Sequence, residues 1–411
     1  MYNKIKIQLS LLFVMILFSS ETFSFDGRPS IRFKHLTIED GLPQNSVHTM
    51  MQDSIGFLWF GTRDGLVRYD GYNLKTFKHE ANNADSLSDN YILIIVESSL
   101  GNLWIGTKDG GLNHFNTQNE KFSRYLHQAD DSNSISNNTV DSIVEDSQGN
   151  LWIGTRGGGL NHFNTKTKQF SQYRHQAEVS NSLSHDYVMS IMEDSRNNLW
   201  IGTRGGGTSH FNKKSGQFGH HERHVDKVNS LSHNSVWAFM EDNVGKLWIG
   251  TNDGLNSLDK KSKIFTHYRH QASDKNSLSY KGISDIDKDG KGGIWLGVYG
   301  GGLNHFNPKT KQFVHYRHQE NVPISLSHDT VWSIMMDKHS NLWVGTSNGL
   351  NHFNTTNKFF TRYVHNNNDS NSLSDNSIES IIEDSQGNLW IGTGGGGLNY
   401  FDVKSGLFIN Y

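Results

Sequence analysis

Cysteine is absent from the chain. That excludes disulfides, thiolate catalysis and zinc–thiolate sites, and it leaves nothing for a lipoprotein signal to acylate. It does not fix a compartment, because a chain of 411 residues buries enough surface to need no cross-links. Proline is scarce as well, with 4 against 41 glycines. Charge of one sign is not in excess: the formal net charge is −3. There is no basic surplus to attract nucleic acid or an anionic membrane surface. Long apolar runs are missing apart from one at the start. There "MYNKIKIQ" carries Lys4 and Lys6, "LSLLFVMILF" is apolar, and "SSETFS" supplies small residues. This three-part pattern reads as a secretory signal peptide over residues 1–24, cleaved after Ser20 or Ser24. The run is short for a membrane span, so an uncleaved anchor is the less favoured reading. The mature chain is then expected to be soluble and periplasmic or secreted.

What is present in quantity is aromatic: 10 tryptophans, 14 tyrosines and 23 phenylalanines. With so many glycines, this composition points to an all-β protein with many tight turns. A motif of the form LWIGT recurs eight times, on Trp59, Trp104, Trp152, Trp200, Trp248, Trp295, Trp343 and Trp390, at spacings of 45 to 48 residues. Within one unit, "YVMSIMED" (187–194), "LWIGT" (199–203), "TSHFN" (208–212) and "FGHHERH" (218–224) are strand-like runs separated by turns. Four short antiparallel strands per unit, repeated, predict a β-propeller over residues 25–411. Eight units predict eight four-stranded blades. Both "IRFKHL" (31–36) and "GLFINY" (406–411) resemble an outer strand, so one of them is redundant in the closing blade. The alternative is seven blades with a unit left over.

The repeat assigns most residue types to scaffold. Each LWIGT tryptophan is expected to fill the wedge between adjacent blades. The preceding turn, Asp146-x-x-Gly149-x-x-Trp152 in unit three, resembles the Asp-box turn of sialidase-like propellers. Its Asp accepts backbone N–H bonds, and its Gly takes positive φ. Asp53, Asp194, Asp242, Asp337 and Asp384 share that position, and Ser98 replaces it in unit two. In unit six, Asp285, Asp287, Asp289 and Gly290 begin like a calcium loop, but Leu296 stands where a bidentate Glu is needed. The "RGGG" after LWIGT lies between two strands with no helix to follow, so it is a connection and not a phosphate cradle. Histidines recur at equivalent positions of separate blades, too far apart to share a metal; His220 and His221 adjoin on an outer strand. No metal, cofactor or catalytic set is expected.

Ligands of propellers sit where residues from all blades converge, at the mouth of the channel. The outer-to-inner connections and the turns after LWIGT share one face. Before each inner strand lies Asn45, Asn90, Asn138, Asp186, Asn234, Asp329 or Asn376, with Lys281 breaking the series. The turns after LWIGT open on Arg63, Lys108, Arg156 and Arg204, then on Asn252, Val298, Ser347 and Gly394. Tyr91 and Tyr299 add aromatic surface. The candidate ligand residues are therefore Arg63, Lys108, Arg156, Arg204, Tyr91, Asp186, Asn234 and Tyr299. Polar and aromatic groups with arginines suit a sugar, with a carboxylate as a partner for Arg. Asp64, Asp109, Asp186 and Asp253 could approach the channel, yet no pair among them stands out as a glycosidase dyad.

The stretches "GLPQNSVHTMMQDSIGFLWFGTRDGLVRYDG" (41–71) and "SLSHDYVMSIMEDSRNNLWIGTRGGG" (182–207) resemble the bacterial two-component regulator propeller repeat. The resemblance runs over about residues 31–411. It implies the periplasmic input domain of a hybrid histidine kinase or diguanylate cyclase, sensing oligosaccharides from polysaccharide breakdown. The immunoglobulin-like domain, membrane helix and signalling module of such receptors have no counterpart here. The expectation is a free-standing module or a piece of a longer sensor. Its expected partners are an oligosaccharide or other polar ligand, a transmembrane kinase or cyclase, and a second copy of the chain, with no nucleic acid. An envelope protein-interaction scaffold, or a propeller-fold polysaccharide lyase or hydrolase, is the alternative.

Overall fold

The computed structural model of the protein describes residues 34–36, 42–44, 47–69, 74–320, 322, 325–336, 342–353, 360–367, 372–403 and 407–409. The signal-peptide pattern, Asn45 and Asp337 lie outside them. All regular structure among the described residues is β. Unit three shows the plan: Val140–Glu145, Leu151–Thr155, Gly159–Asn164 and Gln169–Tyr173 pair in chain order, antiparallel throughout. The second strand of units two, three, four, five, seven and eight is buried at every residue. Both of its faces are covered by neighbouring sheets, which is why LWIGT is apolar without alternation.

Neighbouring sheets interlock through the repeated aromatics. The indole of one unit meets a phenylalanine of the next: Trp59 with Phe115 at 5.2 Å, Trp104 with Phe163 at 5.5 Å, Trp152 with Phe211 at 5.2 Å, and Trp248 with Phe306 at 5.6 Å. In units one, three, four and five the edge of the indole is fixed by the turn aspartate. Asp146 accepts Gln148 N–H and Asn150 N–H on Oδ1 and the Trp152 indole N–H on Oδ2. Burial alone would raise this carboxyl, but the donors from Asn150, Trp152, Gln148 and Lys213 outweigh it and hold it below the usual range. A polar clasp adds to the seam. Ser54 N–H donates to Glu97 of the next unit at 2.9 Å, and Ser99, Ser147 and Ser195 do the same to Glu145, Glu193 and Glu241.

The expectation of eight four-stranded blades is corrected by the sheet topology: there are seven. Units one to seven make seven four-stranded blades, and the ring is closed by a sheet of different make-up, with five strands. Lys34–Leu36 pairs with residues 398–400 of the strand Leu398–Asp402, and Leu407–Ile409 pairs with residues 400–402 of the same strand. Neither terminal strand is redundant. Each is three residues long and covers half of one five-residue edge, so together they cap a row of N–H and C=O groups that would otherwise stay open. The inner strand of this sheet, Ile378–Glu383, packs on Val47–Gln52 of unit one. Trp390 meets Phe60 across that seam at 5.8 Å.

Unit six departs from the plan. Lys288 and Met336 stand where the inner strands of units two to five end in the clasping glutamate. Instead, Asp285 accepts Ile334 N–H at 3.0 Å, and Asp287 accepts Met336 N–H at 2.9 Å, from the inner strand of unit seven. Asp289 keeps the turn role and takes His305 Nε2 at 2.9 Å. The three carboxylates of the calcium-like stretch are thus directed to separate donors. Burial pushes Asp285 up to about 6. A carboxyl raised above its unfolded value of about 3.9 contributes stability that is complete below that value and is lost as pH rises through 6. Asp285→Asn is therefore expected to gain on wild type in melting temperature between pH 4 and 7. Parallel pH–stability curves for the two proteins would contradict this.

Candidate functional site

Every inner strand carries a β-bulge near its start, as between Val140 and Ser142, Val236 and Ala238, and Ile283 and Asp285. The unpaired residue of a bulge is re-aimed out of the sheet, a device common beside binding sites. Here the bulged residues include Leu93, Asp141, Met189, Trp237, Ser284, Trp332 and Glu379. Fifteen residues later in each unit comes the residue that follows LWIGT, and in units three, five and seven the two meet. Arg156 donates to Asp141 at 2.7 Å, Trp237 Nε1 to Asn252 Oδ1 at 2.6 Å, and Trp332 Nε1 to Ser347 Oγ at 2.9 Å. Bulge and turn together build the mouth of the ring.

The sequence-nominated cations fall into two clusters. Arg63 of unit one and Lys108 of unit two lie over the ring of Tyr91, at 5.7 and 5.1 Å from its centroid. Arg156 and Arg204, of units three and four, lie over Tyr187 at 5.5 and 5.4 Å. Cation–π contact of this kind holds a guanidinium in place without neutralising it. Arg156 is held in its charged form by the Asp141 carboxylate. Lys108 and Arg204 make no carboxylate pair among the described residues.

The other half of the mouth is aromatic. Trp237 and Trp332 are 45% and 44% exposed, and Tyr280 and Tyr299 are 48% and 54% exposed. Tyr299 meets Trp332 edge-on at 5.4 Å. It is Tyr299, not Val298, that follows the LWIGT-like strand of unit six; Val298 occupies the threonine position and is buried. The two remaining nominees serve the frame through their Oδ1 atoms. Asp186 accepts His175 N–H at 2.6 Å and Asn234 accepts Arg223 N–H at 2.7 Å, strapping the outer loop to the start of the inner strand. Asn90, Asn138, Asp329 and Asn376 do the same.

Tyr187, Trp237 and Trp332 escaped the sequence reading. A signal for the tryptophans existed: of ten in the chain, these are the two outside the repeat position.

The glycine turns spend their donors on the scaffold. Gly157 and Gly159 both donate to the Asp186 carbonyl of the next unit, and Gly205 and Gly207 to that of Asn234. Recurring histidines staple loops: Nδ1 of His127, His175, His270 and His318 bonds the carbonyls of Ile135, Leu183, Leu278 and Leu326. Asp64 and Asp253 pair with Lys78 and Arg269, and among the described residues no three His, Asp or Glu converge on a metal position. A cleft of about 440 Å³ lies at the outer edge of units four and five, lined by His220, His221 and Lys227. It opens where His221 stands in place of the tyrosine that Tyr125, Tyr173, Tyr268 and Tyr316 supply elsewhere. Burial, with His210 and Lys263 nearby, pushes His221 down to about 4.

Comparison with known proteins identifies the repeat. The family described as two component regulator propeller matches residues 41–64, 86–109, 134–157, 182–205, 230–253, 325–348 and 372–395. The chain belongs to the two component regulator propeller family. Unit six, with its DKDGKGG turn and IWLGVY strand, is passed over. Histidine kinase P4 of Formosa agariphila is 42% identical over 76 residues, which are 18% of this chain and 6% of that protein. The extracellular domain of BT3049 of B. thetaiotaomicron, a candidate hybrid two component system, is 21% identical with a TM-score of 0.49; the match covers 91% of this chain and 66% of that one. PorZ, a surface component of the type-IX secretion system of Porphyromonas gingivalis, has the same fold at 16% identity and a TM-score of 0.54, over 89% of this chain and 59% of its own. This regulator propeller thus spans only part of each of these relatives. Among its described residues no helix is long and apolar enough to cross a membrane.

Proposed function

We propose that this propeller is an extracytoplasmic sensor module that binds an oligosaccharide at the mouth of the ring and passes the event to a membrane-bound histidine kinase or diguanylate cyclase, on the same chain or a partner. The observation that carries the reading is where the units differ. The scaffold positions repeat almost unchanged, whereas the bulge and post-LWIGT positions hold Asp141 with Arg156, Trp237 with Asn252, and Trp332 with Ser347. A uniform frame with a variable, inward-facing rim is the arrangement of a recognition surface and needs no catalytic group. The signal-peptide pattern supports the location, and the family supports a role in signalling. A homodimer is compatible with such a role.

Thermal melts against a broad set of polysaccharide-derived oligosaccharides test the proposal. A member present at a hundredfold excess over its Kd stabilises by about 2.7 kcal/mol, which is a rise of a few degrees. The expected result is at least one such rise, lost in Arg156→Ala or Arg204→Ala and kept in Gln148→Ala on the opposite face. No rise across the whole set would contradict the reading.

A further inference from the structure

Two kinds of group meet at the mouth, and neither is needed by the fold. The first is the arc of cations. Lys108 and Arg204 lie over tyrosine rings with no carboxylate partner among the described residues. The second is the pair of exposed tryptophans. Each donates its indole N–H to the post-LWIGT residue of its own unit, which fixes the ring while leaving nearly half of its surface in solvent. Eight buried tryptophans already fill the wedges, so exposed indoles held by hydrogen bonds mark a contact surface. The two arcs adjoin. The Arg204 backbone bridges to Ser235, two residues before Trp237.

We infer that the ligand of the mouth is an acidic oligosaccharide, whose carboxylate or sulfate rests between Lys108, Arg156 and Arg204 while its sugar faces stack on Trp237 and Trp332. This rests on the proposed function and specifies its ligand class. An apolar ligand would leave the cations desolvated against nothing. A simple inorganic anion would make no use of the indoles. A neutral sugar would stack on them but leave Lys108 and Arg204 without a counter-charge. Asp141 already engages Arg156, so Arg204 and Lys108 are the cations with most to gain.

The test is calorimetric titration of the full mature chain with oligogalacturonate and alginate oligomers, and with carrageenan and chondroitin sulfate oligomers. Each acidic probe is paired with its carboxyl-reduced or desulfated twin. The expected result is that at least one acidic probe binds about tenfold or more tightly than its twin, the size of one charge-assisted hydrogen bond. The carboxylate and sulfate arms tell which acid is read. Arg204→Gln and Lys108→Gln are expected to remove that advantage without changing the twin. Trp237→Ala and Trp332→Ala are expected to weaken acid and twin alike, with melting temperatures unchanged. Equal binding of acidic probes and twins overturns the inference while leaving a sugar sensor standing. Tight binding of a nucleoside triphosphate with none of the sugars overturns both, as does no binding at all.

Discussion

Trp248→Ala is expected to lower the melting temperature by roughly four to six degrees, the consequence of a loss of about 3–5 kcal/mol. Trp248 is wholly buried in a cluster with Leu255, Ile283, Leu296 and Phe306, residues of its own and the next unit. Its indole N–H is taken by Asp242 at 2.9 Å. Truncation opens a cavity in the seam between units five and six and strips the turn aspartate of its side-chain donor. The ring is only as strong as its seams, because each sheet packs on the sheets beside it. Trp332→Ala, the same chemical change at an exposed mouth position, is expected to stay within about 1 kcal/mol of wild type. Calorimetric scans of the two variants side by side check the pair. Equal losses would mean that burial does not separate wedge from rim.

Gly154→Ala is the second large effect, and it acts through excess volume. A Cβ at Gly154 would lie 2.2 Å from Ser142 Oγ and 2.5 Å from Val188 Cγ1. Val188 opens the inner strand of unit four, so the glycine of LWIGT is the point where one sheet leans on the next. Gly106 and Gly250 face Val140 and Ile283 in the same way, at 2.6 and 2.7 Å. An added methyl must push two sheets apart around a closed ring, and the cost is expected near the upper end of the 1–3 kcal/mol of overpacking, at about 3. Gly157→Ala is the control: nothing lies within 4 Å, and only its φ of +91° is unsuited to alanine, a strain of about 1 kcal/mol. Urea unfolding of the two variants should rank them in that order. The reverse order would show that backbone conformation, not sheet contact, fixes the glycine.

The sequence made the scaffold legible because the scaffold is what repeats. A tryptophan every 45 to 48 residues, a turn aspartate six before it and a glycine two after it report one local environment many times over. The closing sheet was harder to read. Both ends of the chain carry an outer-strand pattern, and pairing preference alone cannot say that one five-residue edge is shared between two three-residue strands. At the mouth, the cations were found because they vary at a fixed place. Trp237 and Trp332 were not, because "VWAFME" and "VWSIMM" read as ordinary buried strands. The bulge that turns the second residue outward leaves no trace in hydrophobic alternation. Asp186 and Asn234 point the other way: their placement beside the channel was legible, but the loop N–H groups that occupy their Oδ1 atoms come from eleven residues upstream and show only in three dimensions.

Repeated residues hold the ring, and we propose that unrepeated ones at its mouth bind the ligand. Titration of one acidic oligosaccharide into three proteins tests this most directly: wild type, a Trp237→Ala/Arg204→Gln double variant at the mouth, and Gln148→Ala on the opposite face. The expected result is binding to wild type and Gln148→Ala with the same affinity, and binding to the double variant weaker by about a hundredfold at an unchanged melting temperature. Undiminished binding to the double variant, or loss in Gln148→Ala instead, would contradict it.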